Sequence, residues 1–369
     1  MREIYDAGKV WVIKVGSSLL TSPEGLAVEK VTQWVDDIVY LKKEGIKVVL
    51  VSSGAVAEGM GRLGLSERPD TVHLLQAAAA VGQMGLIQLY ESNFMRHDLH
   101  TAQILLTHDD LRSRERYLNA RVTLKTLIDL DVVPIVNEND TVVTEEIRFG
   151  DNDTLAALVA NLIEANTLIL LTDQEGLFDK DPRLGGAELV GSAMASDPRL
   201  KMMAGPGTDI GQGGMITKVQ AAQVAARSGA NTIITSGLHN NVLRDLAKGN
   251  LSGTCLKADK PLLASRKQWL ATLAPQGQLL LDTGAVQVLR SKGRSLLPVG
   301  VQLVTGRFTR GDMVSCMDEN GQEIARGLIN YSDEESRLII GNSSSNIESK
   351  LGFLIEEELI HRDNLVISR

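Results

Sequence analysis

Cysteine is nearly absent. Only Cys255 and Cys316 occur in 369 residues, which excludes a disulfide framework and fits a reducing compartment. Aromatic residues make up 4%, so Val, Ile, Leu and Ala must build most of the core. Proline is sparse at 9 against 34 glycines, which points to many tight backbone turns. The net charge of −8 leaves no global field to attract nucleic acid or anionic lipid. Apolar runs are interrupted too early to span a bilayer; Asn161, Glu164 and Asn166 break the one around Leu155–Leu171. Glu3 and Asp6 precede any apolar run, so no signal peptide is visible. These absences predict a soluble, cytoplasmic protein without a membrane partner.

What is present is ordinary for a folded chain: 43% apolar and 23% charged residues, enough to exclude general disorder. The length favours two domains. From residue 9 to about 250, short β-branched runs alternate with helical stretches. The runs are Val10–Val15, Lys47–Ser52, Ala102–Leu106, Val132–Val136, Thr167–Thr172 and Thr232–Thr235. Helices are expected near 27–44, 54–63, 72–95, 113–130, 153–164, 215–228 and 240–248. Such alternation predicts an α/β fold: a three-layer, doubly wound, mainly parallel sheet with helices on both faces. The Ala-rich stretch Leu75–Leu89 is expected to serve as an internal core helix.

The texture changes near residue 255. After Gly277 the runs are short and turns frequent, which predicts a small, mostly β module with strands at Val301–Val304, Met313–Cys316, Ile324–Leu328 and Leu338–Ile340. Asp333-Glu334-Glu335 is read as an exposed acidic turn. The expected division is a first domain over 1–262, a linker over 263–276, the β module over 277–355 and a tail over 356–369.

Chemistry concentrates after the strands. Gly16-Ser17-Ser18 follows the first run, with Lys14 near its end; Ser52-Ser53-Gly54 follows the second. Asn137-Glu138-Asn139-Asp140 and then Gly150-Asp151-Asn152-Asp153 follow the fourth, and Thr172-Asp173 ends the fifth. Ligands of open α/β sheets bind at the carboxyl ends of the strands. Turn chemistry alone explains one such loop; it explains five poorly. The glycine–serine turns and Gly213-Gly214-Met215-Ile216-Thr217-Lys218 could present backbone N–H groups to an anion, although a lone lysine is more often a solvated surface charge. No P-loop is present. Gly59-Met60-Gly61-Arg62-Leu63-Gly64 matches a dinucleotide fingerprint by letter but ends a helix, so it is read as a helix terminus with helix–strand packing glycines. None of the six histidines falls in these loops, which argues against a His-based mechanism. Lysines, glycine turns and carboxylates suggest phosphoryl transfer by positioning and charge neutralisation.

Val12-Ile13-Lys14-Val15-Gly16-Ser17-Ser18, Val51-Ser52-Ser53-Gly54-Ala55, Pro134–Asp140, Gly150–Asp153, Leu171–Leu177 and Gly213–Lys218, in this order, resemble the amino-acid kinase family, as does Arg114–Arg121. The C-terminal module resembles a PUA domain. The resemblance implies ATP- and Mg²⁺-dependent phosphorylation of the L-glutamate γ-carboxylate, the first step of proline biosynthesis. By matched position it implies that Lys14 and Lys218 neutralise charge on the transferring group, with Asp153 between them. Gly16 and Gly54 would admit the phosphates and the carboxylate. Ser53, Asp140 and Asn152 would bind glutamate, and Asp151 would act near its ammonium or the metal. Thr172, Asp173, Gln212, Gly213, Gly214, Met215, Ile216 and Thr217 would line the nucleotide site. Ser17 stands where the family usually has Thr, and Gln212 and Ile216 vary. The metal ligands stay unassigned, with Mg²⁺ held mainly by ATP phosphates. L-proline as feedback inhibitor and a homo-oligomer, dimer or tetramer, are further family expectations.

Two other readings stand beside this one. The substrate could be that of an acetylglutamate, aspartate or carbamate kinase. PUA modules often bind RNA, but residues 277–355 hold eight Lys/Arg against nine Asp/Glu, which disfavours RNA as a partner.

Overall fold

A computed structural model describes residues 9–22, 25–143, 152–205, 214–259 and 273–368. The chain forms two compact units: Met1–Leu111 with Ala120–Leu262, and Arg112–Asn119 with Leu263–Arg369. Most of the expected 263–276 linker lies outside the described residues.

The first unit holds an eight-stranded sheet. Its strands are β1 (Val10–Val15), β4 (Lys47–Ser52), β5 (Thr101–Leu106), β6 (Val133–Glu138), β7 (Thr167–Thr172), β8 (Ser192–Met194), β9 (Asn231–Ser236) and β10 (Thr254–Lys257). They lie in the order β5-β6-β4-β1-β7-β9-β10-β8. Every pairing is parallel except β9 with β10. A small antiparallel hairpin, β2 (Thr21–Ser22) and β3 (Gly25–Leu26), follows the short helix α1 (Ser17–Leu20). Strand β7 is buried along its whole length, as a strand covered on both faces must be.

The helices are α2 (Val28–Lys43), α3 (Ala55–Leu63), α4 (Val72–Met95), α5 (His108–Arg112), α6 (Arg114–Asp129), α7 (Asp153–Ile163), α8 (Arg199–Met203), α9 (Met215–Ala226) and α10 (Val242–Ala247). The apolar faces of α2 and α4 meet the sheet. Trp11, Ile13 and Val15 of β1 pack in one cluster with Trp34 and Ile38 of α2 and Leu86, Tyr90 and Phe94 of α4. The Trp34 indole also donates to the Gly237 carbonyl at 3.1 Å, so this large side chain is bonded as well as buried.

Helix α4 is only partly the internal helix that its alanines suggest. Leu75, Ala78, Ala79, Leu86, Tyr90 and Phe94 are buried, while Leu74, Val81, Met84 and Met95 are exposed. By length and composition α4 is apolar enough to cross a membrane, but its buried face belongs to the domain core.

The glycines at 59 and 82 pack helix on helix, not helix on strand. A Cβ on Gly59 would stand 1.7 Å from the Ala78 carbonyl oxygen, and one on Gly82 1.9 Å from the Ala55 carbonyl oxygen. Backbone meets backbone there, so α3 and α4 approach as closely as two helices can.

The second unit is a five-stranded sheet in the order β12-β11-β13-β14-β15, with β11 (Gly277–Leu281), β12 (Val301–Gly306), β13 (Met313–Met317), β14 (Glu323–Leu328) and β15 (Leu365–Ile367). Helices α11 (Thr283–Lys292), α12 (Asp333–Ile339) and α13 (Ile347–Leu351) accompany it. Leu279, Val314, Cys316, Tyr331 and Ile360 lie in its core. The expected strand Leu338–Ile340 is instead the end of α12. Ser332 and Glu335 form a capping box, and the three acidic residues read as a turn are the first turn of that helix, where negative charge faces the positive helix end. Strand β15 pairs with β14, so the 356–369 segment supplies an edge to this sheet.

A Gly82→Ala substitution is expected to destabilise the protein by about 2 kcal/mol or more, because neither backbone can yield. Gly61→Ala, which faces open space in α3, is expected to be neutral or slightly stabilising. Urea unfolding of both variants checks this; equal stabilities would contradict the close crossing.

Candidate active site

Register brings the chemistry to one edge. Lys14 pairs with Val51 on one side and Leu170 on the other, and Val51 pairs with Val136. The parallel strands β1, β4, β6 and β7 therefore end together, delivering Lys14, Ser53, Asn137 and Thr172 to the carboxyl edge of the sheet. Helices α7 and α9 begin at Asp153 and Met215.

Asp153 is the organising group. Its Oδ1 lies 2.5 Å from Lys14 Nζ and its Oδ2 3.0 Å from Lys218 Nζ. The Thr217 hydroxyl contacts the same Oδ2 at 2.9 Å and the Gly214 carbonyl at 2.8 Å. All three charged residues are buried: Asp153 is 0%, Lys14 5% and Lys218 7% exposed. Burial alone would raise the Asp153 pKa. The two ammonium groups outweigh it and hold the carboxyl well below the usual carboxylate range. Two cations share one anion, so the buried trio has a net charge of +1. A buried excess charge of that kind favours an anionic ligand.

Beside this trio runs a chain of buried amides. Asn152, which precedes α7, donates through Nδ2 to the Ser52 carbonyl at 3.2 Å and to Asn137 Oδ1 at 2.7 Å. Asn137 Nδ2 donates to Gln83 Oε1 at 2.7 Å, and the Glu138 N–H donates to Asn137 Oδ1 at 2.9 Å. Ser52 Oγ and the Tyr90 hydroxyl share a hydrogen bond of 3.0 Å. Ser53 Oγ is buried without a hydrogen-bond partner among the described residues. Gly54 then starts α3 with φ +99°, a left-handed backbone that favours glycine.

A cavity of about 350 Å³ lies between α4, β5 and the end of β6, lined by Gln83, Met84, Ile87, Leu105, Glu138 and Asp140. Burial first, and then the neighbouring Glu138 charge, push the Asp140 carboxyl up to about 7 against the opposing pull of Arg68. Glu138 is buried and meets His108 Nδ1 at 3.2 Å. No histidine lies within these loops, but His108 meets one from outside, because β5 and β6 run side by side and end together. His239, pairing with Glu175 at 2.7 Å, likewise reaches the loop that follows β7.

On the other flank, the Thr172 hydroxyl donates to Asp173 Oδ1 at 3.1 Å. Gly214 precedes α9 in an extended conformation, and Met215 and Ile216 are half-buried in its first turn. A Cβ on Gly16 would make ordinary contacts, 3.6 Å from the Leu171 carbonyl oxygen and 3.9 Å from Lys14 Nζ, so this backbone lies beside the lysine ammonium. Asp151, Gln212 and Gly213 lie outside the described residues. Among the described residues no three His, Cys, Asp or Glu side chains are grouped to hold a metal ion. Gln83, Tyr90 and His108 were not singled out from the sequence. They sit on elements far away in the chain, and the polarity of Gln83 within an alanine-rich helix was the one available signal.

Residues 9–236 match the amino acid kinase family, and residues 277–351 match the PUA domain. The chain is similar to the glutamate 5-kinase of Chromohalobacter salexigens, 60% identical over 359 residues, 96% of this chain and 95% of that protein. It is also similar to that of Thioalkalivibrio sulfidiphilus, 59% identical over 370 residues and 99% of each chain. Among solved structures, carbamate kinase from Giardia lamblia bound to AMP-PNP matches with a TM-score of 0.50 at 20% identity, over 69% of this chain and 99% of that one; this likeness concerns the fold alone.

Replacing Asp153 by Asn should leave two buried ammonium groups facing each other and cost about 3 kcal/mol or more at pH 7. The carboxylate's contribution is present above its unfolded pKa, near 3.8, and is lost as pH falls through the depressed folded value. The stability gap between wild type and Asp153→Asn in urea should thus narrow on strong acidification. Equal stability at pH 7 would contradict the ion-pair reading.

Proposed function

The chain belongs to the amino acid kinase family, and we propose that it moves the γ-phosphoryl group of ATP to the side-chain carboxylate of L-glutamate. The products are L-glutamyl 5-phosphate and ADP, and the step opens proline biosynthesis. The observation that carries this reading is the buried Lys14–Asp153–Lys218 trio at the carboxyl edge of the sheet, with its excess positive charge. Full-length similarity to glutamate 5-kinases supports the choice of acceptor.

A carboxylate oxygen forms a bond to the γ-phosphorus while the bond to the β–γ bridging oxygen breaks. Its electron pair leaves with ADP, and no proton must move. The obstacle is repulsion between two anions. Lys14 and Lys218 offset that repulsion, and Asp153 holds their ammonium groups at a set separation, so little reorganisation is needed during transfer. Gly16, Thr172, Asp173, Gln212 and Gly213–Lys218 would line the nucleotide. Mg²⁺ fits a site carried on the nucleotide phosphates, since the described side chains form no metal cage; bound there, it would neutralise phosphate charge.

Asp140 would receive the glutamate ammonium. A carboxyl pushed up to about 7 is poised for this, because an arriving cation favours its ionised form. Ser53, Gly54 and Asn152 would meet the substrate carboxylates, with Asp151 near the ammonium or the metal. L-proline carries the same ammonium and carboxylate and would compete in this pocket. The exposed apolar face of α4, with Val81 and Met84, supports assembly into a dimer or tetramer. Buried, unpaired Cys255 and Cys316 support action in the cytoplasm.

An ADP-release assay with ATP and Mg²⁺ against glutamate, N-acetylglutamate, aspartate and carbamate tests the acceptor. Glutamate is expected to be preferred, and N-acetylglutamate, which lacks an ammonium, to fail. Below its pKa Asp140 is neutral, so kcat/KM for glutamate should rise with pH through about 7. Asp140→Asn should flatten that rise and raise KM for glutamate far more than for ATP. A preference for another acceptor would overturn the assignment of glutamate.

A further inference from the structure

Gln83 is 8% exposed on the buried face of α4, among Ala79, Gly82 and Leu86. A buried amide costs free energy unless it is bonded, and among the described residues its Nε2 has no hydrogen-bond partner. Its Oε1, however, accepts from Asn137 Nδ2 at 2.7 Å. That single bond has consequences along the chain of amides. Asn137 presents Oδ1 to two donors at once, Asn152 Nδ2 at 2.7 Å and the Glu138 N–H at 2.9 Å. A flipped Asn137 would turn its own NH₂ toward both donors and break both bonds. An acceptor on the far side of the Asn137 amide is what makes the observed orientation complete. Gln83 supplies it from a different helix. Asn152, held in this way, directly precedes Asp153 and starts α7.

We propose that Gln83 is a positioning residue for the acceptor substrate: by accepting from Asn137 it locks that amide and so fixes Asn152 in the glutamate pocket. This rests on reading the pocket as the glutamate site.

The test uses the full-length enzyme with ATP, Mg²⁺ and glutamate. Gln83→Met keeps the volume and removes the acceptor. KM for glutamate is expected to rise about ten-fold, the equivalent of one hydrogen bond, while KM for ATP stays within about two-fold. Gln83→Glu, which keeps an oxygen facing Asn137, should stay within about three-fold of wild type. If Gln83 acts through Asn137, the double variant Gln83→Met/Asn137→Ala should be no worse than Asn137→Ala alone. Should Gln83→Met not fold, Gln83→Ala is judged by the same ratios. An unchanged KM for glutamate, a parallel rise in both KM values, or multiplying effects in the double variant would overturn the proposal. If wild type instead prefers another acceptor, the substrate reading fails, and the same ratios measured with that acceptor decide the role of Gln83.

Discussion

One carboxylate shared by two ammonium groups governs this site. Asp153 has no exposed surface, and each of its oxygens faces one lysine. Neither lysine could remain buried without it, since an unpaired charge in a dry interior costs several kcal/mol. Because one anion answers two cations, the trio has a net charge of +1. In the proposed function the same trio that stabilises the structure also meets the phosphoryl group.

The fold exists around that constraint. Residues 14, 153 and 218 are distant in the chain, and a parallel sheet with right-handed crossovers is an economical way to bring such positions together. Parallel pairing places all the relevant strand ends on one edge. Helices on both faces then keep water from the sheet and leave that edge as the exit for polar groups. On one flank lie the Gly16 turn and the N-terminus of α9. On the other lie the amide chain from Gln83 to Asn152 and the cavity that holds Gln83 and the raised Asp140 carboxyl.

Much of this was legible in the sequence. The runs Val10–Val15, Lys47–Ser52 and Thr167–Thr172 are strands with those bounds, and the stretch 72–95 is one helix. Long periodic segments fix their own structure, and glycine, serine and aspartate after a strand announce a ligand edge. Lys14, Asp153 and Lys218 were singled out together, and they meet. Short apolar runs were less legible. Leu338–Ile340 has the composition of a strand, yet the Ser332–Glu335 capping box commits it to a helix. The same limit explains why Gly59 and Gly82 were not paired, since contact between α3 and α4 is tertiary information. His108 and Gln83 were missed because their partners, Glu138 and Asn137, sit on a strand far along the chain.

The most direct measurement is kcat for glutamate phosphorylation in Lys14→Ala and in Lys218→Ala, each at saturating ATP, Mg²⁺ and glutamate. Charge neutralisation by a positioned pair predicts a fall of about 100-fold or more in either variant, with the fold retained. Near-normal kcat in either one would contradict a role for that lysine in the transfer, and with it the shared-carboxylate site.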